Sequence, residues 1–303
     1  MRTLFKIIIL CAGVILWVGC NQSGSTMAVH SGGTPTSETE LERDLSNQFK
    51  AYWYNGTAEI TSYQLRQERY GEMREGTAVN VYVTEDFLPD VQVKADRSSA
   101  KNIPVLKLNS TKKYLTGIYP YSVMTSTFSP VTSNEHAIKV AHSMQEWCGQ
   151  VYVQLNNRKH YEITSHSYFQ GEADRSFTLP KTYLESELWN RVRIDPTTLP
   201  TNEFNILPSF EYFRMSHSEV EAKKAMGHLV QGDSISVYTL SYVDLPRKLS
   251  IYFESEFPHE IERWEETHKN GLITTAEKMK RIKTDYWNKN GNTHQFLRDS
   301  LGL

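Results

Sequence analysis

The amino-acid sequence predicts an α+β fold: an extended, twisted antiparallel β-sheet with three or four helices packed on it or across it. Three observations carry this. Residues 57–169 and 234–266 alternate with period two and are rich in Val, Thr, Tyr and Ile, a strand composition. Turn-forming residues separate these runs without helices between them, which favours antiparallel pairing. Only a few short stretches carry the 3.6-residue period. With 39% hydrophobic and 12% aromatic residues in 303, the chain can build a sizeable core.

Taken in order, Ser37 and Glu40 form a capping box, in which each side chain satisfies an orphan backbone N–H. Leu41, Leu45, Phe49 and Trp53 then recur every four residues on one helical face, stopped by Asn55-Gly56. Strands follow in GTAVNVYVTE, PVLKLNS, GIYPYSVMTSTFSP, AIKVAHSMQEW and GQVYVQLNN; Gly71 and Gly76 bracket one reversal, and NNRKH closes a hairpin. Pro180 opens a helix over KTYLESELWNRVR, with Leu184, Leu188 and Val192 on one face, ended by Asp195-Pro196. DPTTLPTNEFNILPS is expected as a loop. SISVYTLSYVD, KLSIYFESEF and HEIERWEE return to period two. Thr274 and Glu277 form a second capping box ahead of a helical stripe of Met279, Ile282 and Tyr286, broken at Gly291, and HQFLRDSL is a last short helix.

The N-terminus sets an expectation of place. Arg2 and Lys6 precede an apolar run from Ile7 to Val18, which suits a signal peptide and is shorter than the roughly 20 residues of a membrane span. Val18, Gly19 and Cys20 resemble the lipobox of bacterial lipoproteins, with Trp17 standing where that pattern usually has Leu. The resemblance implies cleavage of residues 1–19 and acylation of Cys20. Two or more acyl chains make a stable anchor where one is marginal. Residues 20–36 are a Ser/Gly/Thr-rich tether, and 37–303 the single folded domain. No acidic residue lies between Cys20 and Glu38, so an outer-membrane lipoprotein facing the periplasm is expected, with the membrane as its partner through Cys20.

Three stretches, AYWYNGTAEITSYQLRQERYGE, TSTFSPV, and the ending with YWNKN and FLRDSLGL, resemble a family of flavobacterial lipoproteins commonly labelled "septum formation inhibitor Maf". The resemblance covers most of the chain after Cys20 and implies an envelope setting without an established activity. True Maf proteins are cytoplasmic nucleotide pyrophosphatases with a Ser/Pro/Arg-rich phosphate loop after the first strand. Nothing in this chain matches that loop, so the label brings no chemistry with it.

Charge and motifs narrow the function classes. Removing Arg2 and Lys6 leaves 33 − 2 = 31 basic residues against 35 acidic ones, a balance that argues against nucleic-acid binding. EWCGQ has Val151 where a redox motif needs a second cysteine, so Cys148 is expected as a core cysteine; a nucleophile with His142 or His166 as base is the alternative. QGDSIS carries Gly-Asp-Ser without the D-x-x-H element of lipases, and suits a hairpin turn. The pairs His160/His166 and His136/His142 fall short of the three or four converging ligands of a zinc site. No metal or cofactor is expected.

QLRQERYGEMRE is the stretch that points to a ligand. On a strand, Arg66, Glu68 and Tyr70 face one way, and Gln67 and Arg69 the other. One reading is an exposed hairpin with cross-strand charge pairs. The other is a polar groove for an anionic or sugar-like ligand, with Arg66 or Arg69 as a bidentate donor; its candidate residues are Arg66, Glu68, Arg69 and Tyr70. Lys278, Lys280, Arg281 and Lys283 suit a solvated helix face or contact with anionic lipid. The expected function is a lipid-anchored envelope module for binding, carriage or scaffolding. The alternative is an envelope hydrolase using Cys148 or a carboxylate among Glu59, Glu68 and Glu72. A hydrolase calls for such a group beside a His in a cleft, a carrier for a largely apolar cavity under the sheet, and a scaffold for neither.

Overall fold

Sixteen strands hydrogen-bond into one sheet in the computed structural model, which describes residues 43–303. The leader, Cys20, the tether and the Ser37/Glu40 capping box lie outside the described residues. Helix α1 (Asn47–Trp53) precedes strands β1 (Ala58–Arg69), β2 (Glu72–Leu88), β3 (Val93–Lys94), β4 (Ile103–Thr116), β5 (Tyr119–Pro130), β6 (Lys139–Glu146), β7 (Gly149–Asn157), β8 (Tyr161–Ser167) and β9 (Arg175–Leu179). A two-residue strand β10 (Tyr183–Leu184) leads into α2 (Glu185–Ile194), then β11 (Asn202–Leu207) and α3 (Phe210–Ser216). Strands β12 (Lys223–Val230), β13 (Ile235–Tyr242), β14 (Lys248–Glu254), β15 (Ile261–Thr267) and β16 (Ile273–Thr284) follow, and α4 (Phe296–Ser300) ends the chain. Strand is 52% and helix 15%, so backbone pairing across the sheet dominates the fold.

The topology is a meander that returns to its start. Strands close in sequence pair antiparallel, with the short β10–β11 pair parallel, β3 pairing only with β2, and β16 coming back to pair with β1. The hydrogen-bonded order is therefore β10 through β16, then β1, β2, β4 and onward to β9. Its two ends, β9 and β10, are joined by residues 180–182 alone. Four Cα steps reach at most about 14 Å. The twisted sheet therefore curls until its first and last strands lie close, leaving an unpaired seam between them.

Helix α2 fills the inside of that curl. Its Leu188 and Val192 join Tyr63, Leu65, Tyr82, Leu106, Tyr238, Ile251 and Trp264 in one core drawn from both halves of the sheet. Its polar side chains are buried too, and its charged groups and the Asn190 amide nitrogen find partners. Asn190 Nδ2 donates to Leu106 O at 2.9 Å and to Ser129 Oγ at 3.0 Å. Arg193 Nη2 donates to Glu59 Oε2 at 2.8 Å, and the Glu187 carboxylate accepts from Ala137 N at 2.7 Å.

Several expectations need correction. Residues 274–284 are strand, not helix, and pair on both sides with β1 and β15. Helix α1 begins at Asn47, where Ser46 Oγ accepts from Phe49 N at 3.1 Å; its cap is Ser46, and residues 43–46 are not helical. The expected loop after Asp195 contains β11. Helix α3, capped by Ser209, has no counterpart in the periodicity. Helix α2 starts at Glu185, with Tyr183–Leu184 in β10, and eight of its residues are buried, polar and charged ones among them. Cys148 is exposed, not a core cysteine, because it sits at the tip of the β6–β7 hairpin. Gly76 lies within β2, so the reversal is Tyr70-Gly71 alone.

Candidate functional site

Strand β1 ends in a two-residue turn whose residues both have positive φ, 58° at Tyr70 and 76° at Gly71, the backbone of a tight hairpin that matches strand twist. Alternation before that turn sorts the candidate residues. Leu65, Gln67 and Arg69 are buried; Arg66 is exposed and pairs with Glu75 at 3.1 Å. The structure therefore separates the four. Glu68 and Arg69 line one cleft, while Arg66 and Tyr70 do not line it.

The cleft has a volume of about 510 Å³, within the range of small-molecule sites. The end of β1 forms one wall and α3, through Tyr212 and Met215, another; Pro246 and Arg247 come from the β13–β14 turn, and Glu266, His268 and Asn270 from the end of β15 and the turn after it. Arg69 is 8% exposed. It donates to Met215 O at 3.2 Å, Tyr70 Oη at 3.2 Å and Tyr121 Oη at 3.4 Å, and its guanidinium lies 4.1 Å from the centre of the Tyr70 ring. Among the described residues no carboxylate stands within 4.0 Å of it. Tyr70 thus acts behind the wall: its ring covers Arg69, and its hydroxyl meets that of Tyr121 at 2.9 Å.

Glu68 is held at one oxygen only. Oε1 accepts from Gly71 N and Asn270 Nδ2, both at 3.0 Å, while Oε2 stands 4.0 Å from His268 Nδ1. Thr274 of β16 fixes that histidine. Its hydroxyl accepts from Glu68 N at 2.9 Å and Gln67 Nε2 at 3.2 Å, which uses both lone pairs, so its proton goes to His268 Nε2 at 2.8 Å. His268 therefore turns Nδ1–H toward Glu68.

Buried ion pairs support the floor. Lys112 of β4 donates to Glu211 at 2.8 Å. Arg247 donates to Glu266 Oε1 at 2.7 Å and to Glu185 Oε1 at 2.7 Å, and Tyr242 donates to Glu185 as well. Burial would raise the Glu266 carboxyl, but Arg247, His268 and Lys112 outweigh it and hold it down to about 2. A separate small cavity of about 60 Å³, lined by Ser110, Trp189 and Leu249, shares Ser209, Glu211 and Glu266 with the cleft. Among the described residues, α2 and the aromatic core occupy the interior there.

The other sequence candidates lie elsewhere. Cys148 lines none of the clefts described, and Glu146, through its hydrogen bond and its charge, pushes the thiol upward. Glu59 is sealed against Arg193, and Glu72 is exposed beside Arg74. His142 is buried with Nδ1 2.9 Å from Thr125 Oγ1, and His166 is exposed beside Asp174. Glu254, Glu260 and Glu262 bring carboxylate oxygens within 4.8 Å of one another, and Lys278 already neutralises Glu260 at 3.0 Å. The basic residues of 278–283 thus lie on a strand, where Lys278 and Arg281 pair with Glu260 and Lys283 donates to the Tyr52 carbonyl. Sequence reasoning missed Lys112, Glu211, Arg247, Glu266 and His268. The one local signal was a Lys inside a strand pattern, at position 112.

No family model matches the chain, and no curated protein matches it. Among solved structures it is similar to the beta-barrel-like protein of domain of unknown function DUF1849 from Brucella abortus, with 8% sequence identity, a TM-score of 0.45, and coverage of 76% of this chain and 98% of that one.

Proposed function

We propose that the protein is a lipid-anchored cell-envelope binding module that holds a small polar ligand in the cleft beside Glu68 and Arg69. The observation that carries this reading is Arg69 in the cleft wall, a residue 8% exposed whose guanidinium has phenols and a carbonyl for partners and, among the described residues, no carboxylate. A buried charge without a counter-ion is costly, and an incoming acceptor relieves that cost. The envelope setting rests on the leader and Cys20, with residues 20–36 as the tether of an outer-membrane lipoprotein facing the periplasm.

The test is mass spectrometry of the protein purified from its native membranes. It should show acyl chains on Cys20 and a co-purifying small molecule released on denaturation. A bare Cys20 behind an intact leader would overturn the anchor, and an empty protein that binds no small molecule would overturn the cleft.

One observation favours the rival reading, an envelope hydrolase: Glu68 and His268 share the cleft wall. That reading needs Glu68→Gln to abolish turnover while leaving ligand affinity nearly intact. The binding module needs the affinity itself to fall.

A further inference from the structure

We infer that the ligand is a zwitterion, a molecule carrying both a carboxylate and an ammonium, as in a free amino acid or a short peptide. The inference rests on the cleft being a binding site and goes on to assign the chemistry it accepts.

Hydrogen-bond accounting at the two wall residues leads there. A guanidinium has five N–H donors. Arg69 uses three within the protein, one each from Nε, Nη1 and Nη2, so 5 − 3 leaves two. These sit one on each terminal nitrogen, so two charged donors are left for an anionic acceptor. On the same strand end Glu68 offers a free acceptor; Glu211 and Glu266, which also line the cleft, are already paired with Lys112 and Arg247. Glu68 Oε1 is filled by Gly71 N and Asn270 Nδ2, while Oε2 stands 4.0 Å from His268 Nδ1, beyond hydrogen-bond length. The two side chains belong to consecutive residues of β1, and both line the cleft. A cation alone would meet Arg69 and an anion alone would meet Glu68, each with like-charge repulsion. A head with both charges fits both residues.

The body of the cleft fits the rest of such a ligand. Met215, Pro246 and the ring of Tyr212 present apolar surface, and 510 Å³ exceeds what one small amino acid fills. Gly71 N and Asn270 already hold Glu68 in place, and the phenols of Tyr70 and Tyr121 hold Arg69. The head would therefore meet side chains that are already oriented, which lowers the entropy cost of binding.

Calorimetry with leucine and leucyl-leucine, each also as the N-acetyl and the C-terminal amide form, tests the inference and separates the two sources. The free forms should bind, and each capped form should lose on the order of 10- to 100-fold in affinity, the worth of a charged hydrogen bond. Arg69→Gln should abolish the preference for acid over amide, Glu68→Gln the preference for amine over N-acetyl, and Arg66→Gln should change neither. Where Arg69→Gln fails to fold, Arg69→Lys serves, since it keeps the charge and loses the fork. N-acetyl or amide forms binding as tightly as the free ones would overturn the zwitterion. Failure of the whole panel beside a co-purified ligand of another class would overturn the inference and leave the cleft standing. Failure of the panel with no ligand of any kind would remove both.

Discussion

Arg193 and Glu59, 134 residues apart in sequence, form a two-point ion pair with their side chains only 1% and 0% exposed. The pair ties the last turn of α2 to the start of β1, and the guanidinium lies 5.0 Å from Trp53 and 4.8 Å from Tyr82, measured to the ring centres. Burial alone would raise the Glu59 carboxyl; Arg193 outweighs it, and the group rests below its ordinary value.

Removing one partner of such a pair strands the other charge. Arg193→Met should therefore cost about 3–5 kcal/mol, measured by urea denaturation at neutral pH. Glu59→Leu combined with Arg193→Met should recover roughly half of that loss, since no lone charge remains and two apolar side chains fill the space. A double variant as unstable as Arg193→Met alone would show that the guanidinium acts through its packing on Trp53 and Tyr82.

His142 makes stability depend on pH. It is 1% exposed, and Nε2 has no partner. Burial first, then Lys112 and Arg214, push it down to about 3. In the unfolded chain a histidine takes its proton near 6.5, so the unfolded state binds the extra proton first as pH falls. Its contribution is complete above about pH 6.5 and is lost progressively toward pH 3. Between pH 7 and 4.5 the folded state should lose on the order of 3 kcal/mol through this residue. His142→Asn, a side chain that does not titrate, should flatten that part of the stability profile.

Thr274 should matter to stability and binding together. Thr274→Val keeps the shape but leaves Glu68 N without its acceptor, a loss of about 1–3 kcal/mol. It also frees His268 and one end of the cleft wall, so affinity for the cleft ligand should fall in the same variant. Thr274→Ser keeps the hydroxyl and should restore both, as read by thermal unfolding and calorimetry.

That residue also shows where the sequence is legible and where it is not. T-x-x-E at 274–277 matches a helix cap by local chemistry, yet Thr274 and Ala276 are both fully buried, on the inner face of a strand. The alternation that would have marked the strand is broken at Met279, the extra residue of a bulge where Ser62 pairs with Lys280 and Tyr63 with Lys278. A stripe of 279, 282 and 286 survives the break and imitates a helix. Elsewhere most of the segments from β2 to β8 stand out because alternation and strand-forming residues run on over many positions. The charged hairpin likewise drew attention to Glu68 and Arg69 from sequence alone. Their cleft partners could not be found that way. Glu211, Arg247, Glu266 and His268 come from segments more than 140 residues away, brought in only when β16 returns to β1.

Cys148 gives the last prediction, and it turns on the difference between reach and reactivity. The thiol is open to solvent at the β6–β7 tip, so a small alkylating reagent meets no barrier of access. What reacts is the thiolate, and Glu146 works against it: its carboxylate accepts from Cys148 N at 2.6 Å, and its hydrogen bond to the thiol and its charge keep the proton on sulfur. Iodoacetamide should therefore modify Cys148 completely but slowly in the folded protein at pH 7, with a rate still rising above pH 9. Glu146→Gln should speed the reaction at pH 7, because the neutral amide no longer opposes the thiolate. A nucleophile in use would show the reverse, with fast alkylation near neutrality, saturation well below pH 9, and slowing on loss of a neighbouring base. Following the rate by mass spectrometry from pH 6 to 10 separates the two patterns in the intact fold.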